Sequence, residues 1–408
     1  MIAEIKPARL KGIIQAPPSK SMGHRMMICA ALANGISHIE GISDSEDMHA
    51  TLDALTALGV SCTKKGSAVE IRGTDLRKAK PAASLACRES GSTLRFMIPL
   101  CMVSDEAAAK DEHFTLTGSP RLMERPQSVY EEICVKQKLT FIRKDGAIEV
   151  GGKLSAGVYE IAGNISSQFI TGLLFTLPLL DNDSILSISE PIESRSYIDM
   201  TIAALALFGI RVNWSDHHTI SIAGNQQYTP ADVSVEGDYS NTAFFEALPC
   251  LGHDVSVTGL NENSLQGDRI YRTIFPQIAS GCPTVHIGDC PDLGPIFMAL
   301  AAAKHGITLT GTKRLKIKES DRGTAMAAEL AKFGVKAELE EDTIRVIPEA
   351  FHAPDELLHG HNDHRIVMAL ATLLTVTGGR IDDAQAVSKS LPDYFTLLNS
   401  LGAEAIIK

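Results

Sequence analysis

Two kinds of apolar stretch alternate along the chain. The first is amphipathic, with apolar positions at helical spacing, and it often closes on a glycine suited to a left-handed C-cap. It occurs at 47–60 (DMHATLDALTALGV), 125–139 (RPQSVYEEICVKQKL) and 197–210 (YIDMTIAALALFGI). It returns at 268–282 (DRIYRTIFPQIASGC), 321–335 (DRGTAMAAELAKFGV) and, shortened, 393–403 (DYFTLLNSLGA). Alternating segments follow at 61–73, 139–152 and 336–348, and these predict hairpins with polar turns.

The second kind precedes each of the first. It opens on small polar residues and then turns strongly apolar: SKSMGHRMMICAALANG, SGSTLRFMIPLCM, SSQFITGLLFTLPLL, DYSNTAFFEALPCLG, DLGPIFMALAAAKHG and NDHRIVMALATLLTV. Ser, Asp and Asn are preferred N-caps, and a helix apolar on every side after its first turn is a buried one. The pattern therefore predicts six α/β units, each with one buried helix, one amphipathic helix and several strands. Six units exceed one core, so a three-plus-three split is expected. The first domain would be 18–236, and the second 1–17 plus 237–408. Crossovers near 15–19 and in SVEGDYS (234–240) would form a hinge, with the N-terminal segment completing the second domain as a strand.

Composition narrows what such a scaffold does. The 408 residues are 44% hydrophobic, enough for substantial cores. A formal net charge of −11 and 5% aromatic content argue against a nucleic-acid or anionic-membrane binder. The longest apolar run, 169–180, is too short to span a bilayer, and no N-terminal signal pattern is evident. Eight scattered cysteines without a C-x-x-C read as reduced core thiols of a cytoplasmic protein.

Against that acidic background, RLKIKESDRG (314–323) gathers Arg314, Lys316, Lys318 and Arg322. PPSKSMGHR, SGSTLR, GSPRLMERP, NDHR and SKSLPDYF also set a cation among small hydroxyl, Gly or Pro neighbours. Arg365 falls in the first turn of an apolar helix, a poor place for a cation unless an anion is near. In KIKESDR, a helix would put Lys318 and Arg322 on one face. Buried helix N-termini aimed at one cleft, with cations beside them, would make a trap for a small polyanion. HGHNDHR offers His359, His361 and His364 to a metal, but no Cys or carboxylate stands at ligand spacing. GITLTGTK is a near miss for a phosphate loop and reads as a strand.

The ordered set SKS with Arg25, GSPRLMERP, SSQF, CPDLGPI, KESDR, NDHR and SKSLPDYF resembles the 5-enolpyruvylshikimate-3-phosphate synthase family nearly end to end. The resemblance implies an inverse α/β barrel of two domains, each of three βαβαββ-type units. It implies a cytoplasmic monomer without metal or organic cofactor. The activity implied is transfer of the enolpyruvyl group of phosphoenolpyruvate to the 5-hydroxyl of shikimate 3-phosphate, on the route to chorismate and aromatic amino acids.

By motif, Lys20, Ser21 and Arg25 would bind the shikimate phosphate, Lys20 also reaching phosphoenolpyruvate. Ser166, Ser167, Gln168, Ser194 and Tyr197 would surround the shikimate phosphate and ring. Gly91 and Arg121 would touch phosphoenolpyruvate, Arg322 and Arg365 would clamp it, and Lys389 would hold its phosphate. Asp292 and Lys318 would handle the reacting hydroxyl, with Asp292 as base. Glu319 and Lys20 are candidates for proton transfer at the methylene, and the three proton roles are interchangeable among Lys20, Asp292 and Glu319. The chain departs from the family pattern at Pro18, at Glu89 before Ser90, at Phe96 and at Arg314. Glyphosate, which inhibits much of this family, would fit beside Gly91, where Glu89, Ser92 and Phe96 are neighbours. The competing readings are a transferase acting on UDP-N-acetylglucosamine and a non-catalytic polyanion binder on the same scaffold.

Overall fold

The computed structural model describes residues 1–81, 84–144 and 146–408. The chain divides into two compact units. The first unit is Pro18–Glu236, and the second is Met1–Pro17 with Gly237–Lys408.

The first unit holds three four-stranded sheets of one design among the described residues. In one, Val158–Ala162 runs parallel to Ser184–Ser189, which pairs antiparallel with Thr219–Ile222, itself paired with Val212–Trp214. Leu85–Ala86, His113–Thr117, Ala147–Gly151 and Thr140–Lys144 repeat that order. Asp145, which falls between Thr140–Lys144 and Ala147–Gly151 in sequence, lies outside the described residues. The third sheet takes its parallel edge from the far end of the unit, with Asp232–Ser234 beside Ile36–Glu40.

The second unit repeats the design in Thr284–His286, Ile307–Thr310, Thr343–Pro348 and Val335–Leu339. It then rebuilds the same order from the two ends of the chain. Ala3–Lys6 lies between Gly379–Ile381 and Glu404–Ile407, antiparallel to both, and Leu358 bridges in parallel to Ile381. The N-terminal segment makes two strands rather than the single one expected. Pro7, which has no N–H to donate, follows the first, and Lys11–Gln15 then pairs in parallel with Asp254–Thr258. That two-stranded sheet has no hairpin of its own.

Six helices form the cores. In chain order they are α1 (Lys20–Leu32), α2 (Gly91–Cys101), α3 (Ser167–Thr176), α4 (Tyr239–Glu246), α5 (Gly294–Ala302) and α6 (His364–Thr377). The first three are buried in the first unit's core and the last three in the second's. Ser19, Ser90, Ser166, Asp238 and Asp363 each cap their helix by accepting a backbone N–H of its first turn. The exception is α5, which is preceded by a 3-10 turn, Pro291–Leu293, and has no side-chain cap. Asp292 is thereby left for other partners.

Close approach sets where the helix starts lie. A β-carbon on Gly172 of α3 would sit 2.6 Å from the Arg95 carbonyl of α2 and 2.3 Å from the Tyr130 hydroxyl. Only glycine allows these backbones to come together. All eight cysteines are free thiols, and all but Cys282 are at least half-buried; Cys282 is exposed, against the expectation of a core thiol.

Candidate active site

In the first unit, Ser19 turns the chain into α1, and the first two turns of that helix carry Lys20, Ser21 and Arg25. Arg25 is buried, and its guanidinium donates to neutral oxygens: the Ser21 carbonyl at 2.6 Å, the Tyr197 carbonyl at 2.9 Å and Thr201 Oγ1 at 2.9 Å. Burial pushes its pKa down to about 10. A desolvated cation with neutral partners is poised for an anion. Lys20 Nζ lies 2.7 Å from Asp47 Oδ2, a counter-ion that sequence reasoning did not include.

Ser166 and Ser167 open α3, both buried, and Gln168 follows them. Gln168 accepts from Arg95 Nη1 at 2.7 Å and donates to Ser92 Oγ at 3.0 Å, tying α3 to the first turn of α2. Ser194, in the left-handed region at φ 58°, precedes the helix Arg195–Leu207, which carries Tyr197 in its first turn. Phe96 is core, packed edge-on against His24 and Phe175.

Arg121 sits half-exposed on the short helix Pro120–Glu124, with Glu124 at 3.8 Å. The residue against Gly91 is Arg125, buried, whose Nη1 is 2.4 Å from where a Gly91 β-carbon would stand. The sequence held a signal for this. A residue before proline is driven into extended backbone, and Arg125 before Pro126 has ψ 141°, which ends the short helix and turns the side chain inward.

In the second unit the cations of 318–365 converge on carboxylates. Asp292 Oδ1 is 2.7 Å from Arg322 Nη1 and 3.0 Å from Lys318 Nζ, and Asp292 Oδ2 is 3.6 Å from Arg365 Nη2. Arg322 also meets Glu319 at 2.8 Å and Asp363 at 2.8 Å. Lys318 and Arg322 do not share a helical face. The helix starts only at Arg322, capped by Asp321, and Lys318 lies before it in extended backbone. Asp363 was missed as a ligand of Arg322, because its position reads simply as an N-cap; it performs both tasks. Arg365 reaches back to the Ser240 carbonyl at 2.8 Å, and Lys389 donates to the Asn362 carbonyl. Arg314 is buried and donates to the Gly288 carbonyl at 3.1 Å.

Burial alone would raise the Asp292 pKa, but Lys318, Arg322 and Arg365 outweigh it and hold the carboxyl well below its ordinary value. Burial, with Arg322 and Arg314 nearby, pushes Lys318 down to about 8 despite the attraction of Asp292. The pair thus joins a firmly ionised carboxylate to an ammonium that can lose its proton near neutral pH.

The histidines of HGHNDHR have protein partners: His359 Nδ1 lies 2.7 Å from Asp382, and His361 Nε2 lies 3.1 Å from Glu329. Among the described residues, no group of three or more His, Cys, Asp or Glu is placed to hold a metal ion. No described helix is long and apolar enough to cross a membrane.

Comparison with known proteins places this architecture. The solved structure of EPSP synthase from Acinetobacter baumannii superposes with a TM-score of 0.78 over 100% of both chains, at 23% identity. The enolpyruvyl transferase NikO from Streptomyces tendae superposes at 0.77 over 99% of this chain and 98% of that one, at 15% identity. The fold is that of the enolpyruvyl transferases. The family model for EPSP synthase (3-phosphoshikimate 1-carboxyvinyltransferase) matches residues 5–398. The 3-phosphoshikimate 1-carboxyvinyltransferase of Clostridium kluyveri is 39% identical over 98% of this chain and 97% of its own. That of Clostridioides difficile is 35% identical with the same coverage. The chain belongs to the EPSP synthase family. Its activity is 3-phosphoshikimate carboxyvinyl transfer, in the shikimate pathway to aromatic amino acids.

Proposed function

We propose that the site residues divide the work of this reaction by substrate. Arg25, Lys20 and Ser21, with Ser166, Ser167, Gln168, Ser194 and Tyr197, take the phosphate and ring of shikimate 3-phosphate. Arg322 and Arg365 take the phosphoenolpyruvate carboxylate, and Lys389 takes its phosphate. Gly91 and Arg121 act on phosphoenolpyruvate together with Arg125, which lies against Gly91. The enzyme works as a cytoplasmic monomer without cofactor, nucleic acid or membrane.

The observation that carries the assignment of chemistry is the convergence of Lys318, Arg322 and Arg365 on Asp292. While paired with it, these cations make Asp292 a poor base. An arriving carboxylate draws charge from Arg322 and Arg365, which loosens their hold and raises the basicity of Asp292. Glu319, released from Arg322, takes up a proton from solvent and delivers it to the methylene carbon, and C2 becomes cationic. The 5-hydroxyl oxygen bonds to C2 as Asp292, backed by Lys318, removes its proton. The tetrahedral intermediate then loses phosphate as the new methyl group returns a proton. Positioned acid–base groups supply about 10²–10⁴-fold, and the fixed cations around the developing charge supply much of the remainder.

The test is phosphate release from phosphoenolpyruvate with shikimate 3-phosphate as acceptor, and with UDP-N-acetylglucosamine in parallel, for the wild type and Asp292→Asn. Release that requires shikimate 3-phosphate and falls at least about 10²-fold in kcat for Asp292→Asn is expected. An Asp292→Asn enzyme of undiminished kcat would remove Asp292 from the base role.

A further inference from the structure

Glu329 is a carboxylate that the reaction scheme does not use, yet it is 1% exposed and fully bonded. It lies two turns beyond Arg322, on the same face of the helix Arg322–Ala331. Its oxygens accept from Lys332 Nζ at 2.8 Å, the His359 N–H at 2.8 Å and His361 Nε2 at 3.1 Å. The last two belong to the turn 359–363, in which His361 and Asn362 are held at φ 52° and 49°. Side chains with a β-carbon rarely occupy that region, and consecutive ones do so only where the surroundings impose it.

Other carboxylates complete the restraint. Asp382 accepts the Gly360 N–H at 2.9 Å and faces His359 Nδ1 at 2.7 Å, while Asp383 accepts the Asn362 N–H at 2.8 Å. The turn delivers two groups to the cations. The Asn362 carbonyl receives Lys389, and Asp363 receives Arg322 while capping the helix that carries Arg365. One strained turn therefore registers three cations from three parts of the chain, and Glu329 fastens it to the helix that starts with one of them.

We propose that Glu329 is a positioning residue that, through His361 and the 359–363 turn, sets Arg322, Arg365 and Lys389 for phosphoenolpyruvate. This rests on the reading of those cations given above. It predicts an effect confined to one substrate, whereas simple loss of folded protein lowers kcat and leaves both KM values alone.

The experiment compares Glu329→Gln, His361→Gln and Arg322→Lys in the full-length enzyme, varying each substrate at saturation of the other. Glu329→Gln is expected to raise KM for phosphoenolpyruvate about tenfold, with kcat and KM for shikimate 3-phosphate within about twofold. His361→Gln should move the same constant in the same direction by less, and it decides the matter if Glu329→Gln does not fold. An unchanged KM for phosphoenolpyruvate, or equal changes for both substrates, overturns the proposal. If Arg322→Lys raises that KM while Glu329→Gln and His361→Gln do not, the clamp alone fails. If none of the three raises it, the reading of Arg322 fails as well.

Discussion

The guanidinium of Arg125 occupies the space that a side chain on Gly91 would fill, 2.4 Å from the missing β-carbon. The first residue of α2 is thus kept bare for a cation that folds in from the end of the short helix Pro120–Glu124. Gly91→Ala must push Arg125 aside, and a partly buried charge-assisted bond to an anion is worth roughly 1.5–3 kcal/mol. Because the guanidinium tip can give way, part of that is expected to be lost: KM for phosphoenolpyruvate should rise about 3–10-fold. Arg125→Ala should raise it further, and Arg121→Ala, which removes the other arginine of the same motif, should raise it as well. Steady-state kinetics with each substrate varied checks all three.

Arg322 is 1% exposed in its side chain and binds three carboxylates at once, those of Asp292, Glu319 and Asp363. Arg322→Ala would strand them, and removing one partner of a buried ionic cluster costs about 3–5 kcal/mol. A fall in thermal midpoint of several degrees is therefore expected, together with loss of activity. Arg322→Lys keeps the charge but not the fork, so it should retain most of the stability while losing affinity for phosphoenolpyruvate. Calorimetry that found Arg322→Ala as stable as the wild type would mean that the cluster is strained by its own carboxylates.

Much of this architecture is legible in the order of residues alone. Helices that turn apolar after a capping residue predict the six buried elements, and Arg365 in the first turn of one predicts an anion nearby, which Asp292 supplies. What the pattern hides is three-dimensional. Asp363 looks like a cap alone, because its second role comes from a residue 41 positions earlier. Lys318 looks helical at i, i+4 spacing, yet the Asp321 cap starts the helix after it. The motif points to Arg121 alone, and it is Arg125, extended ahead of Pro126, that packs on Gly91. A hairpin after Asp254–Thr258 is implied by repetition alone, and the residues there do not encode one.

Lys318 gives the enzyme a pH signature. Its ammonium loses its proton at about 8 in the folded chain, where 10.5 is ordinary. Over that window the unfolded chain binds more protons than the folded one. The group's contribution to stability therefore rises with pH from about 8 to 10.5 and is lost as pH falls through 8. Activity should run the other way. Neutral Lys318 no longer supports Asp292 or attracts anions, so kcat/KM should decline above a break near pH 8. In Lys318→Arg, whose charge cannot be removed, a slower enzyme without that break is expected. A break that persists in Lys318→Arg would assign it to another group.

His24 sits 1% exposed behind Arg25, and its Nδ1 lies 2.7 Å from Thr51 Oγ1 at the head of a hydroxyl chain through Thr93 to Ser90, the cap of α2. Thr93 donates to Ser90, so Thr51 donates to Thr93 and His24 donates to Thr51 from Nδ1. Its Nε2 has no hydrogen-bond partner among the described residues. Burial first, then Lys20 and Arg25, hold its pKa well below 6.5. The unfolded chain takes up a proton as pH falls through 6.5 and the folded one does not, so stability from this group is whole above 6.5 and is lost progressively below it. Urea unfolding between pH 5 and 7.5 should show a stability slope that His24→Gln reduces by up to about 1.4 kcal/mol per pH unit. Nitrogen NMR should find the neutral Nδ1–H form throughout that range. A His24 that titrates near 6.5 would mean that water reaches Nε2, and that the chain to Ser90 is not the fixed link between the starts of α1 and α2 that this geometry describes.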